Sequence, residues 1–179
     1  IKLGISSRGL GSVEQVREAN GEITVKDTSS KIFKASTTNA TNYNTSVIPI
    51  YTAVTFETPV YNTGGFTHTA PASLITITEA GYYELVCNVN TDSEPTSTGQ
   101  RFIPGIVVEV NGVLQDEIAW GYNRGVTDGS GTDLATTLLN TIKLLSANDT
   151  VEFFVTIQGQ GNIPVYNTPN QTYVTIKKI

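Results

Sequence analysis

The chain has no methionine, one cysteine and one histidine among its 179 residues. A lone Cys87 excludes an intrachain disulfide framework. It stands in an alternating pattern between Leu85 and Val89, the setting of a small core residue. A reactive thiol needs a base, and the one histidine, His68, lies in a different segment. One Cys and one His cannot fill a tetrahedral zinc site. No G-x-S-x-G motif accompanies His68, which reads as an ordinary surface or loop histidine. Charge is scarce as well. Asp, Glu, Lys and Arg make up 15% of the chain, with a net charge of −5. Such a chain has no electrostatic footprint for nucleic acid, and Lys177-Lys178 is two charges, not a basic patch. No apolar run approaches the roughly 20 residues that span a bilayer. Neither a nucleic-acid partner nor a membrane is expected. With Ile1 first and no methionine anywhere, the chain is expected to begin after a removed or unseen N-terminal piece.

Helical periodicity is missing too. The best candidate is Ser12 to Ala19, with Val13 and Val16 three apart, followed by Asn20-Gly21 as a helix stop or a hairpin turn. What abounds is Thr, Asn, Ser and Gly, which favour pleated surfaces and the turns between them. Glu22–Lys26 and Lys31–Ala35 read as short strands, and the Thr/Asn-rich stretch 36–46 has little to bury. Residues 1–45 are therefore expected to form a mostly extended N-terminal arm, and residues 46–179 a single domain.

In that domain the spacing predicts strands separated by turns. Val54 and Phe56 alternate with Thr55 and Glu57, and Leu74–Thr78 places Ile75 and Ile77 on one face. Glu79-Ala80-Gly81 turns into Tyr82–Asn90, where Tyr83, Leu85, Cys87 and Val89 share a face. Asn111-Gly112, flanked by valines, is the strongest hairpin signal, because a type I′ turn needs positive φ at both central positions. Leu114, Ile118 and Trp120 follow on one face of the return strand. Leu134, Leu138, Ile142 and Leu144 align at even spacing, Asn148-Asp149 turns the chain, and Val151, Phe153, Val155 and Ile157 share the next face. Thr172–Ile179 closes the chain as a strand. Many short strands without helices indicate an all-β antiparallel sandwich.

The order of motifs resembles the jelly-roll domain shared by the C1q globular head and tumour necrosis factor. The likeness spans residues 47–179. It rests on Ala80-Gly81-Tyr82-Tyr83-Glu84-Leu85, on Val110-Asn111-Gly112, on Ile142 to Glu152 and on the final strand Tyr173–Ile179. Asn148 stands where the family usually has Gly, a swap that a left-handed turn tolerates. No Gly-X-Y stem is present. The Thr/Asn-rich surface and the non-collagenous arm fit the jelly rolls of bacteriophage virion proteins, the head fibres, decorations and receptor-binding tips.

The resemblance implies a homotrimer around a threefold axis. Several strands carry apolar residues on both faces, and a second apolar face must be covered. Tyr82, Val86, Leu139 and Phe154 are the expected trimer contacts. Two functions follow. The first is a structural virion protein whose residues 1–45 anchor it to capsid or other virion proteins at the virion surface. The second is a receptor- or glycan-binding tip, on a phage fibre or a secreted extracellular protein. There Trp120, Tyr122, Asn123 and Tyr166 in the loops offer sugar stacking and hydrogen bonding to a host-surface glycan. No catalytic constellation is found: Asp116 and Glu117, adjacent on a strand, face opposite ways and cannot act as a pair. No cofactor is implied. The oxygen-rich loop holding Asp128 and Asp133 offers calcium ligands, as does the loop with Asp92 and Glu94, although neither has EF-hand spacing and solvated turns are the simpler reading.

Overall fold

β-Branched residues alternating with polar ones, and broken at Asn, Gly and Pro, dictate strands and turns. A computed structural model describes residues 13–17, 23–27, 30–39, 43, 51–93, 101–124, 133–159, 165–168 and 171–179, the first two segments as backbone alone. Among them β1 (Val13–Arg17) and β2 (Ile23–Asp27) pair antiparallel as a two-stranded sheet of their own. The best helical candidate is thus a strand. Its hydrogen-bonding partner decides this, since two valines three apart cannot sustain a helix. The Asn20-Gly21 step lies outside the described residues.

The remaining strands are β3 (Ile32–Ser36), β4 (Thr52–Ala53), β5 (Thr58–Asn62), β6 (Phe66–Thr67), β7 (Ile75–Ile77), β8 (Gly81–Ser93) and β9 (Arg101–Val110). They continue with β10 (Val113–Trp120), β11 (Asn123–Arg124), β12 (Asp133–Leu145), β13 (Thr150–Gly159), β14 (Val165–Asn167) and β15 (Tyr173–Lys178). A six-stranded sheet runs β12-β8-β15-β3-β5, with β14 also on β8. A seven-stranded sheet runs β10-β9-β13-β7-β6, with β11 on β9 and β4 on β13. The chain changes sheet repeatedly, from β7 to β8, from β8 to β9, from β11 to β12, from β12 to β13 and from β13 to β14 among others, the connectivity of an antiparallel jelly roll.

Between the sheets lies one core. Tyr83, Leu85, Cys87 and Val89 of β8 face Ile106, Val108, Phe153 and Val155, all buried. Phe66 packs edge-on against Tyr83 at 5.8 Å between ring centres, and lies tilted against Phe33 at 5.9 Å. Phe33 and Ala35 of β3, together with Tyr43, belong to this core. The sandwich therefore draws on residues from both sides of position 45.

The two turn motifs adopt the geometry their residues require. Asn111 and Gly112 have φ of 53° and 77°, and Asn148 has φ of 73°. These are left-handed conformations that Asn and Gly take at little steric cost.

Candidate functional site

The surface is decided by which way β12 faces. β12 is a 13-residue strand at the edge of the six-stranded sheet. The core takes its odd-numbered residues: Ala135, Leu139 and Leu145 are buried with the rest of the interior. Its even-numbered row points away. Leu134, Leu138, Ile142 and Leu144 are between 55% and 67% exposed. Leu139, expected at a trimer contact, is 4% exposed and packs inside the sandwich. The large aliphatics are the better core formers in isolation. However, the inward row is held by Leu139 and Leu145 and by Thr137, whose hydroxyl donates to the Pro104 carbonyl at 3.3 Å.

The register extends this apolar row across the sheet. Leu144 lies opposite Tyr82, Ile142 opposite Glu84, Asn140 opposite Val86 and Leu138 opposite Asn88. Tyr82 is exposed and Val86 half-buried, so both stand on the outward face. Phe154 is elsewhere. It is half-buried on the outer face of the seven-stranded sheet, in a row with Val107 and Ala53.

At the open side of the sandwich, where β10 and β12 approach, Lys143 points inward. Its ammonium group donates to Glu117 Oε1 at 2.5 Å and to Gln115 Oε1 at 3.3 Å. The Lys143 hydrogen bond holds the Glu117 carboxyl below the usual carboxylate range. Glu117 is thereby a structural partner of Lys143.

The ligand-loop residues separate. Trp120 ends β10 opposite Gly105, and its indole lies across that glycine: a Cβ there would come within 2.6 Å of the ring. Tyr122 is exposed. Asn123 opens β11 opposite Phe102, while Tyr166 is in β14 opposite Asp92, on the other sheet. The side chains of Asn123 and Tyr166 lie outside the described residues. Trp120, Tyr122 and Asn123 are therefore neighbours, and Tyr166 is not among them.

Of the calcium candidates, Asp128 lies outside the described residues. Asp133 starts β12 opposite Ser93, its side chain likewise undescribed. Among the described residues no group of three His, Cys, Asp or Glu side chains could hold a metal ion. His68 lies against Phe33, 5.4 Å between ring centres, and its Nε2 is 3.1 Å from the Ala72 carbonyl. Cys87 is buried, which pushes its thiol pKa up. Among the described residues no helix is long and apolar enough to cross a membrane.

The outward row of β12 is the feature that sequence reasoning missed. The outward face of β8 gave no signal for it, since apolar Tyr82 and Val86 alternate there with Glu84 and Asn88.

No protein-family model matches the chain, and no curated protein matches it in sequence. Solved structures match it in shape. Murine APRIL at pH 8.0 superposes with a TM-score of 0.53 at 15% identity, over 84% of this chain and 99% of that one. Murine APRIL at pH 8.5 gives 0.52 at 16% identity, over the same shares of each chain. Eiger TNF from S. frugiperda gives 0.50 at 8% identity, over 84% of this chain and 91% of its own. At such identities the likeness is one of fold, and the fold is the tumour-necrosis-factor-like jelly-roll sandwich.

Proposed function

We propose that this chain is a non-enzymatic jelly-roll module that closes into a homotrimer and serves as a structural protein on the outside of a virus particle. One observation carries the self-association: the long edge strand β12 turns Leu134, Leu138, Ile142 and Leu144 to water beside Tyr82. An exposed, apolar edge strand is a surface that monomeric proteins avoid. Moving one half-exposed Leu or Ile fully out of water is worth about 1 kcal/mol, so the row and its partners supply several. The threefold arrangement is the one the family resemblance implies.

The virion role draws support from the surface and from the N-terminal segment. The chain is rich in Thr and Asn and poor in charge. β1 and β2 form a sheet separate from the sandwich. Residues 1–29 are then the anchor to capsid or other virion proteins, as a decoration or head fibre.

The test is the native mass of the full chain, which should be three times 19.2 kDa. A chain that stays single at high concentration ends the proposal. A chain of residues 30–179 should likewise run at three times its own, smaller mass and lose attachment to particles. If it still decorates them, the anchoring role fails while the trimer stands.

A further inference from the structure

We infer that the outer face of the seven-stranded sheet carries a stacking site for a neutral saccharide, centred on Trp120. This face belongs to the opposite sheet from the β12 row, so the inference stands independently of the trimer.

The register aligns three rows there. Ile118, Val107 and Phe154 form the first, and Trp120, Gly105 and Thr156 the second. Gly121 N–H donates to the Pro104 carbonyl at 2.7 Å, and Asn123 sits opposite Phe102, so the register continues past β10. That places Tyr122 opposite Ile103, in a third row with Gln158. Trp120 and Tyr122 thus share a face two residues apart, about 6.8 Å along the strand.

The indole has a prepared seat. Gly105 lacks the Cβ that would meet the ring at 2.6 Å, and Thr156 Cγ2 lies beside the same point at 3.0 Å. The ring can therefore lie flat on backbone, with one face down. Trp120 is still 43% exposed, and Tyr122 59%. A planar aromatic face open to water presents the negative side of its quadrupole. The C–H groups on one side of a pyranose ring complement it, and the exposed amide of Gln158 offers a donor and an acceptor to sugar hydroxyls.

Size and charge decide the occupant. A stable protein partner needs about 1,200–2,000 Å² of buried surface. Here Val107 is already covered, and what remains open is two aromatic rings in neighbouring rows with Ile118, 37% exposed, beside them. That is room for one or two sugar rings. The three rows contain no ionisable carboxylate or amine, so neither a cation nor a phosphate finds a counter-charge within them.

Trp120 is the only tryptophan in the chain, so its fluorescence reports on this site alone. The full chain is first applied to an array of neutral hexose and N-acetylhexosamine oligosaccharides, and the best binder is then titrated. Binding should shift the emission to the blue and reduce acrylamide quenching severalfold. Trp120→Ala should weaken binding at least tenfold, measured by calorimetry, with the native mass unchanged. Trp120→Phe should retain part of the affinity, and Gly105→Ala, which lifts the ring, should lose most of it. Gln158→Ala, an exposed change that leaves the fold intact, should cost severalfold. A blank array, or unchanged affinity in these variants, overturns the inference. So does dissociation of the assembly by Trp120→Ala, which would make the ring a contact between copies.

Discussion

Asn111 and Asp149 tie two turns together that lie 38 residues apart in the chain: Asn111 Nδ2 donates to Asp149 Oδ1 at 2.8 Å. Asn111 Oδ1 in turn accepts from the Thr150 N–H at 2.9 Å, and Asp149 Oδ2 accepts from the Ser146 N–H at 2.7 Å. The β9–β10 hairpin and the β12–β13 turn are thereby locked at one end of the sandwich. Two of the four segments on which the family resemblance rests, Val110-Asn111-Gly112 and Ile142 to Glu152, contribute residues to this lock.

A pH dependence follows. The Asn111 amide, with the Ser146 N–H second, holds the Asp149 carboxyl below its ordinary 3.8. A carboxyl lowered in the folded state stabilises fully above its unfolded pKa. That stabilisation is lost as pH falls through the folded value. Asp149→Ala should therefore lower stability at pH 7 by about 1 kcal/mol, a modest amount because exposed charge is screened. The difference between variant and parent in urea unfolding should shrink below about pH 4. An equal difference at pH 7 and pH 2 would mean that the charge is irrelevant to the lock.

Cys87 provides a probe of opening. Burial alone pushes its thiol up, and it is fully enclosed between the sheets. Thiolate, not thiol, attacks an aromatic disulfide reagent. At pH 8 the folded chain should release no chromophore over an hour, and one equivalent per chain in guanidinium. Rapid labelling of the native protein would show that the β8 face is open.

The strands, their turns and the inward face of β8 were legible in the sequence, because alternation and left-handed Asn and Gly positions are local facts. Tyr83, Leu85, Cys87 and Val89 face the core as their pattern dictates. The direction of β12 was not legible. Both of its rows carry leucine, and a one-residue shift in register exchanges the faces. Only the sheet opposite, with Pro104 and Glu117 positioned to meet Thr137 and Lys143, fixes the choice. The Trp120 seat was hidden for a similar reason. Gly105 is fifteen positions away in sequence and becomes relevant only through pairing of β9 with β10.

Truncation should respect the sheet rather than the change in composition. β3 pairs with β15 along five residues, and Phe33 and Ala35 are fully buried. Removing residues 1–29 should leave a folded chain. Removing 1–45 takes away β3 and Tyr43, and the product should be insoluble or lack a cooperative thermal transition. Circular dichroism melts of the two products distinguish the cases. Equal stability would show that β3 is dispensable.

The strongest contrast lies between adjacent leucines on β12. Leu138 is turned to water and Leu139 to the core, so substitutions there should fail in different ways. Leu139→Ala removes buried methyl groups and leaves a cavity, a loss of about 2–4 kcal/mol, while the assembly surface is untouched. Its thermal midpoint should fall, with the native mass unchanged under conditions where it is folded. Leu138→Glu and Ile142→Glu add charge to a face that is already solvated in a single copy, so the individual fold should survive. Within an assembly the same carboxylates would be buried without partners, at a cost of several kcal/mol each. Native mass spectrometry should then find single copies with intact β signatures by circular dichroism. If Ile142→Glu still assembles as the parent does, the β12 row lies outside the contact, and some other surface must hold the copies together.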